Sequence, residues 1–124
     1  MDVSDKLKEL KYEEIIWIIY IGIIIYSFYS NYLEKEYYLS LDDDYRDKYR
    51  HTLIVIFSIL IFVYLYFFKG SYDDLMNISD DDSSSKKRLI YLSFVGSLLI
   101  LISGFIFLYV AYMDKDIDVE LAFN

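Results

Sequence analysis

Apolar side chains in this chain fall in three long runs, and charged side chains fall in the segments between them. The runs are residues 15–33, 52–68 and 89–113, about 19, 17 and 25 residues, against about 20 for a bilayer core. A soluble helix or strand interleaves apolar and polar residues with its own period. Separation of apolar runs from charged segments is typical of membrane proteins, because placing a charge in hydrocarbon is costly. The pattern therefore predicts an all-α, polytopic integral membrane protein with three transmembrane helices.

We expect one membrane domain over residues 1–124, divided by the same pattern. Its predicted parts are a charged N-terminal segment (1–14), a first span (15–33), a helical hairpin tip (34–51), a second span (52–68), a polar, mobile loop (69–88), a third span (89–113) and an acidic tail (114–124). Gly70 places the start of the loop, because glycine commonly follows a helix end.

Helix ends can be predicted from the short polar segments. Ser40 and the acidic residues 42–44 indicate a turn and then a helix start, so the first two spans should extend beyond the bilayer as a helical hairpin. The first helix should end near Leu39 and the second begin near Asp43. Ser4 or Asp5 should cap the N-terminal segment, and one of the serines at 83–85 should cap the third helix.

Small and hydroxylated side chains recur within the third span and share one side of the helix. At 100° per residue they fall within an arc of about 120°. In lipid, helices associate where small residues let backbones approach and hydroxyls bond across. The arc is therefore a predicted packing face, formed by Ser93, Gly96, Ser97, Ser103, Gly104 and Ala111.

The first span carries a second polar stripe within about 80° of the helix surface. It consists of Trp17, Tyr20, Ile24, Ser27 and Asn31. Two arrangements use the two faces. They meet inside one three-helix bundle, or they form an interface with another copy or another membrane protein.

Orientation and location follow from the flanks of the spans. Seven Lys and Arg residues lie in segments 1–14 and 69–88, and five lie in 34–51 and 114–124, which favours a cytoplasmic N-terminus. The first run has a mixed acidic and basic flank and no small-residue cleavage site, so we expect it to be retained rather than removed as a signal peptide. The Ile, Tyr, Asn, Lys and Asp bias favours a microbial cell membrane.

Composition excludes several chemistries. There is no cysteine, hence no disulfide or thiolate chemistry, and the net charge of −8 argues against nucleic acid. No span contains Asp, Glu, Lys, Arg or His, which argues against transporters and membrane enzymes. His51 is expected to be an interfacial polar residue rather than a pH sensor. The acidic triplets at 42–44 and 80–82 are expected to be solvated helix caps rather than metal ligands, so no metal or cofactor is predicted.

The sequence thus predicts a small non-enzymatic membrane protein that acts through helix–helix association, as an accessory, regulatory or immunity-type subunit. Its expected partners are the lipid bilayer and a second copy or another membrane protein. The alternative is a homo-oligomeric pore, either a holin-like permeabiliser or a membrane effector.

Overall fold

Three long helices account for almost all of the secondary structure. The computed structural model describes residues 2–121, with α1 at Val3–Ser40, α2 at Asp43–Met76 and α3 at Ser84–Met113. Helix accounts for 85% of the described residues, and no strand occurs among them. Each helix is long and apolar enough to span a membrane, with mean hydropathies of 1.5, 2.3 and 2.4 over the most apolar stretch. The predicted fold class is confirmed, and the chain is a multi-pass membrane protein.

The chain divides into two compact units, residues 1–52 and 53–124. The first contains α1 and the start of α2. The second contains the rest of α2, all of α3 and the tail as far as Leu121.

Two non-helical residues, Leu41 and Asp42, form the corner between α1 and α2. Leu41 takes a left-handed conformation, with φ at 57°, and its backbone N–H donates to the Tyr37 carbonyl at 2.6 Å. The Asp42 carboxylate then accepts the Asp44 backbone N–H at 3.0 Å, as expected at a helix N-terminus. The predicted helical hairpin and its end and start residues are therefore confirmed to within about a residue.

The prediction that residues 69–88 form a loop is wrong at its first end, whereas α3 begins where the predicted serine cap at 83–85 places it. α2 continues through Gly70 to Met76, and α3 begins at Ser84, so only residues 77–83 are non-helical. Gly70 does not have a positive φ and so does not form the helix-ending conformation. Lys69 and Asp73 pair across one turn at 3.9 Å, which favours the helix. Glycine inside a helix costs about 1 kcal/mol relative to alanine, a small penalty in a helix of 34 residues.

The caps at the other helix starts were predicted with mixed success. Ser83 caps α3, and its hydroxyl accepts the Lys86 backbone N–H at 3.1 Å, as predicted. At α1 the cap is Asp2, whose carboxylate accepts the Asp5 N–H at 2.8 Å, so the prediction of Ser4 or Asp5 is wrong. Ser4 and Asp5 lie within the first turn of α1. The capping position is taken by Asp2, which accepts one of the free N–H groups of that turn.

The turn before α3 should weaken in acid. The pKa of the Asp82 carboxyl is lowered, because it accepts the Ser79 backbone N–H and a hydrogen bond from Lys86, whose charge also contributes. A lowered pKa means that the charged form stabilises the fold at neutral pH. This contribution is fully present above the ordinary carboxyl pKa and is lost as the pH falls through the lowered value.

The measurement is hydrogen exchange of the backbone amides of Ser79 and Lys86, with each rate corrected for the intrinsic pH dependence of amide exchange. We expect protection to fall below pH 4, and Asp82→Asn to show the low value already at pH 6. Equal protection of Asp82→Asn and the unaltered chain at pH 6 would contradict this account.

Candidate helix-packing site

The predicted face of α3 is occupied in its C-terminal half. A Cβ atom added at Gly104 would lie 3.0 Å from Tyr64 Cδ2 and 3.4 Å from Ile61 Cγ1, so α2 side chains fill the space that glycine leaves. Ala111, two turns further along, is buried, with 3% of its surface exposed. That these small residues favour helix association in lipid stays a prediction.

A hydroxyl pair joins α2 and α3 further toward the N-terminus of α3. The Ser71 and Ser97 hydroxyl oxygens lie 2.9 Å apart. Ser97 donates to its own Phe94 carbonyl at 2.9 Å, so Ser71 supplies the proton of the contact between the two helices. Ser71 also lies 2.8 Å from the Phe67 carbonyl oxygen and shares its single proton between the two acceptors.

The remaining residues of the predicted face are not covered in the same way. Ser93 is exposed, and a Cβ atom added at Gly96 would meet no atom within 4 Å. Ser103 is half-buried, and its hydroxyl donates to the Ile100 carbonyl of its own helix at 2.7 Å. The face is thus divided into a packed part and an open part, which we call the open edge, formed by Ser93 and Gly96.

The predicted polar stripe of α1 lies mostly on exposed surface. Trp17 and Ile24 are 65% and 58% exposed, Asn31 is exposed, and Tyr20 is half-buried beside the Trp17 ring at 5.6 Å between centroids. Ser27 donates to the Ile23 carbonyl of its own helix at 2.7 Å. The buried residues of α1 are instead Ile16, Ile23, Ser30 and Leu33. The use of the stripe as a packing face stays a prediction.

A second hydroxyl pair lies in the first unit and was not predicted. The hydroxyl oxygens of Ser30 and Thr52 are 2.7 Å apart, and both residues are almost fully buried, 3% and 2% exposed. Thr52 donates to the Tyr49 carbonyl, so Ser30 donates to Thr52. One signal could have found the pair: Ser30 precedes Leu41 by 11 residues and Thr52 follows it by 11. Residues equally far from a tight hairpin corner face each other.

A cleft of about 350 Å³ lies beside this pair in the first unit. Its lining consists of Tyr26, Tyr29, Leu33, Asp47, Lys48, His51 and Thr52. His51 is exposed there. The Lys48 ammonium lies 3.1 Å from the Asp44 carboxylate, and this hydrogen bond and charge raise the pKa of Lys48.

Each acidic triplet contains one residue that bonds the local backbone. Asp42 and Asp82 each accept a backbone N–H of a neighbouring residue. Within residues 2–121, no group of three or more His, Asp and Glu side chains is placed to hold a metal ion.

No protein family, characterised protein or solved structure that we compared matches this chain.

The Ser30–Thr52 hydrogen bond should contribute measurably to stability. A double-mutant cycle of Ser30→Ala and Thr52→Val should give a coupling energy of about 0.5–1.5 kcal/mol, the range for hydrogen bonds between membrane helices. Unfolding in bilayer mimetics by a denaturing detergent is the measurement. Ser27→Ala serves as the control, since Ser27 bonds only its own helix. A coupling energy of zero would show that the two hydroxyls do not act together.

The two glycines of the α3 face should respond differently to the same change. Gly104→Ala should destabilise the protein by about 1–3 kcal/mol, because the new methyl group overpacks against Tyr64. Gly96→Ala should be neutral or stabilising, because the methyl group enters open space and alanine favours the helix. The same unfolding assay compares them, and equal effects at both positions would refute the division of the face.

Proposed function

We propose that this chain is a small, non-enzymatic membrane protein that acts through helix–helix association, as an accessory, regulatory or immunity-type subunit. The observation that supports this most is the open edge of α3. Gly104, on the same helix face, is packed against α2 side chains of the same chain. Ser93 is exposed, and a Cβ atom at Gly96 would meet no atom within 4 Å. The open edge keeps the residue types that membrane helices use for contact.

A partner helix would gain two interactions at the open edge. At Gly96 the backbones of α3 and the partner helix could approach each other closely, because glycine places no side chain between them. The Ser93 hydroxyl, one turn away, could bond a carbonyl or hydroxyl of the partner. A second copy of this chain offers the same small residues, and so does another membrane protein with a small-residue face.

The polar groups inside the spans support a structural role rather than catalysis. The hydroxyls of Ser27 and Ser103 donate to carbonyls of their own helices, which satisfies them locally. The buried hydroxyls of Ser30 and Thr52 bond each other. None of these groups is placed beside a base that could activate it as a nucleophile.

Photo-crosslinking from the open edge tests the proposal. A diazirine amino acid at Ser93 should give one discrete protein adduct in cells that make the chain, either a second copy or one partner. The same group at Ile25, which is exposed on α1, should capture lipid. Gly96→Leu should abolish the Ser93 adduct, because the leucine side chain blocks close approach of the partner helix. Gly22→Leu is the matched control and should leave the adduct unchanged. A Cβ atom at either glycine would have nothing within 4 Å in this chain. Capture of lipid alone from Ser93 would contradict the proposal.

The pore alternative predicts a different result for the same variants. A homo-oligomeric pore would depolarise the membrane as expression rises, and Gly96→Leu would abolish the depolarisation. A discrete adduct at Ser93 without any change in a membrane-potential dye supports the accessory subunit. Depolarisation that depends on Gly96 would replace it with the pore.

A further inference from the structure

The hydroxyl pair in the first unit lies where both of its helices leave the hydrocarbon. Ser30 bonds Thr52 at 2.7 Å, so residues of α1 and α2 that are equally far from this pair lie side by side. Leu33, the last residue of the first apolar run, therefore lies beside Tyr49, three residues before the second run begins. Both are buried, each 2% exposed, as this alignment requires. The two apolar runs thus reach their ends within about one helical turn of each other.

The cleft of about 350 Å³ beside this pair crosses the edge of the hydrocarbon. Tyr26 and Tyr29 line it from inside the first apolar run, whereas Asp47 and Lys48 line it from the segment before the second run. Lys48 precedes Thr52 by four residues, about 6 Å along the helix, and a headgroup layer is about 5–7 Å thick on each side of the bilayer core. The cleft therefore extends from the headgroup layer into the outer hydrocarbon.

The outer end of the cleft carries charges of both signs. The Lys48 ammonium lies 3.1 Å from the Asp44 carboxylate, and with three N–H donors it can bond a further oxygen. The Asp47 carboxylate lies 3.5 Å from the Arg46 guanidinium, and its two oxygens can accept further hydrogen bonds. His51, one turn further in, is exposed and has an N–H donor in either protonation state. The cleft thus offers donors to an anion and an acceptor to a cation.

The inner end of the cleft is aromatic. The rings of Tyr26, Tyr29 and Tyr32 follow one another along α1, with centroids 5.9 and 6.4 Å apart. The first two line the cleft together with Leu33. A tyrosine combines an apolar ring with a hydroxyl donor, and for that reason favours the membrane interface. The inner end therefore suits the ester groups and the upper acyl chains of a phospholipid.

The charges around the cleft distinguish between phospholipid headgroups. Residues 42–51 contain four Asp side chains against three Lys and Arg side chains, which does not favour a headgroup of net negative charge. A zwitterionic headgroup places its phosphate near Lys48 and its amine near Asp47. A primary ammonium donates a charge-assisted hydrogen bond to a carboxylate, whereas the trimethylated amine of choline has no N–H. Ethanolamine therefore fits better than choline or glycerol.

We propose that this cleft binds one molecule of phosphatidylethanolamine from the surrounding bilayer. Its ammonium contacts Asp47, its phosphate contacts Lys48 and His51, and its glycerol esters lie at the rings of Tyr26 and Tyr29. The order of these groups along the cleft, from the corner inward, is the order of amine, phosphate and ester in the lipid. Because the lining comes from both α1 and α2, the bound lipid holds the two helices together.

Native mass spectrometry of the full chain tests this assignment. The chain is released from nanodiscs that contain equal amounts of phosphatidylethanolamine, phosphatidylcholine and phosphatidylglycerol with the same acyl chains. One phosphatidylethanolamine should be retained, at least about fivefold more often than either other lipid. Equal retention of all three lipids would mean that the cleft does not select its lipid, and preferential retention of phosphatidylglycerol would mean that it selects an anion. Either result would overturn the proposal.

Carboxylate variants test the contact with the amine. Asp47→Asn should reduce the preference for phosphatidylethanolamine over phosphatidylcholine to within about twofold, because the charged acceptor for the ammonium is lost. Asp43→Asn is the matched control, since Asp43 also pairs with Arg46 at 3.5 Å but does not line the cleft. It should leave the preference unchanged. A preference that survives Asp47→Asn, or that falls equally in both variants, would contradict the assigned contact.

A lysine variant tests the contact with the phosphate. Lys48→Met should lower retention of phosphatidylethanolamine and phosphatidylcholine alike, because both carry the phosphate. Lys35→Met removes an exposed lysine of α1 that does not line the cleft, and should lower neither. Unchanged retention in Lys48→Met would contradict the assigned contact. A dimer that forms without lipid and is lost in Lys48→Met would instead assign the cleft to a second copy of the chain.

A soluble analogue separates a lipid from a free phosphate compound. In detergent without added lipid, dihexanoyl phosphatidylethanolamine should increase the resistance of the chain to unfolding by a denaturing detergent. Phosphoethanolamine at the same concentration should not, because it lacks the ester and acyl groups that contact the tyrosine rings. Equal stabilisation by the two compounds would show that the ligand is a soluble phosphate compound and not a lipid.

Discussion

The structure depends on lipid as the solvent of its exposed surface. Large apolar side chains such as Trp17, Ile25 and Phe62 are more than half exposed on the three helices, a distribution that water would not tolerate over so large an area. Continuous helices satisfy their backbone hydrogen bonds internally, which hydrocarbon requires. Because lipid contact is nearly as favourable as contact between apolar side chains, specific association must come from close packing and from hydrogen bonds.

Two hydroxyl pairs and one glycine supply those specific contacts. Ser30 with Thr52 joins α1 to the start of α2, and Ser71 with Ser97 joins α2 to α3. Ser30, Thr52 and Ser71 lie within three residues of an end of an apolar run, whereas Ser97 lies two turns inside the third run. Gly104 adds a close approach deep within the second unit. Within each unit, these contacts determine which residues of neighbouring helices lie beside each other.

Sequence reasoning was most successful for features that depend on neighbouring residues. The corner at Ser40 to Asp43 and the Ser83 cap could be predicted because capping is a local interaction. α2 was predicted too short, because Gly70 was taken as a helix end although its effect depends on the conformation it adopts. A helical wheel gives the direction of a side chain but not the position of the next helix. Gly96 and Gly104 therefore looked alike in sequence, although only Gly104 meets another helix.

The single tryptophan offers the most direct test of the central claim. Trp17 is 65% exposed and stands two residues inside the first apolar run. In vesicles, lipids brominated on the upper acyl chain should quench its fluorescence strongly, and water-soluble acrylamide should quench it weakly. Strong quenching by acrylamide with none by brominated lipid would show that water, and not lipid, surrounds this surface.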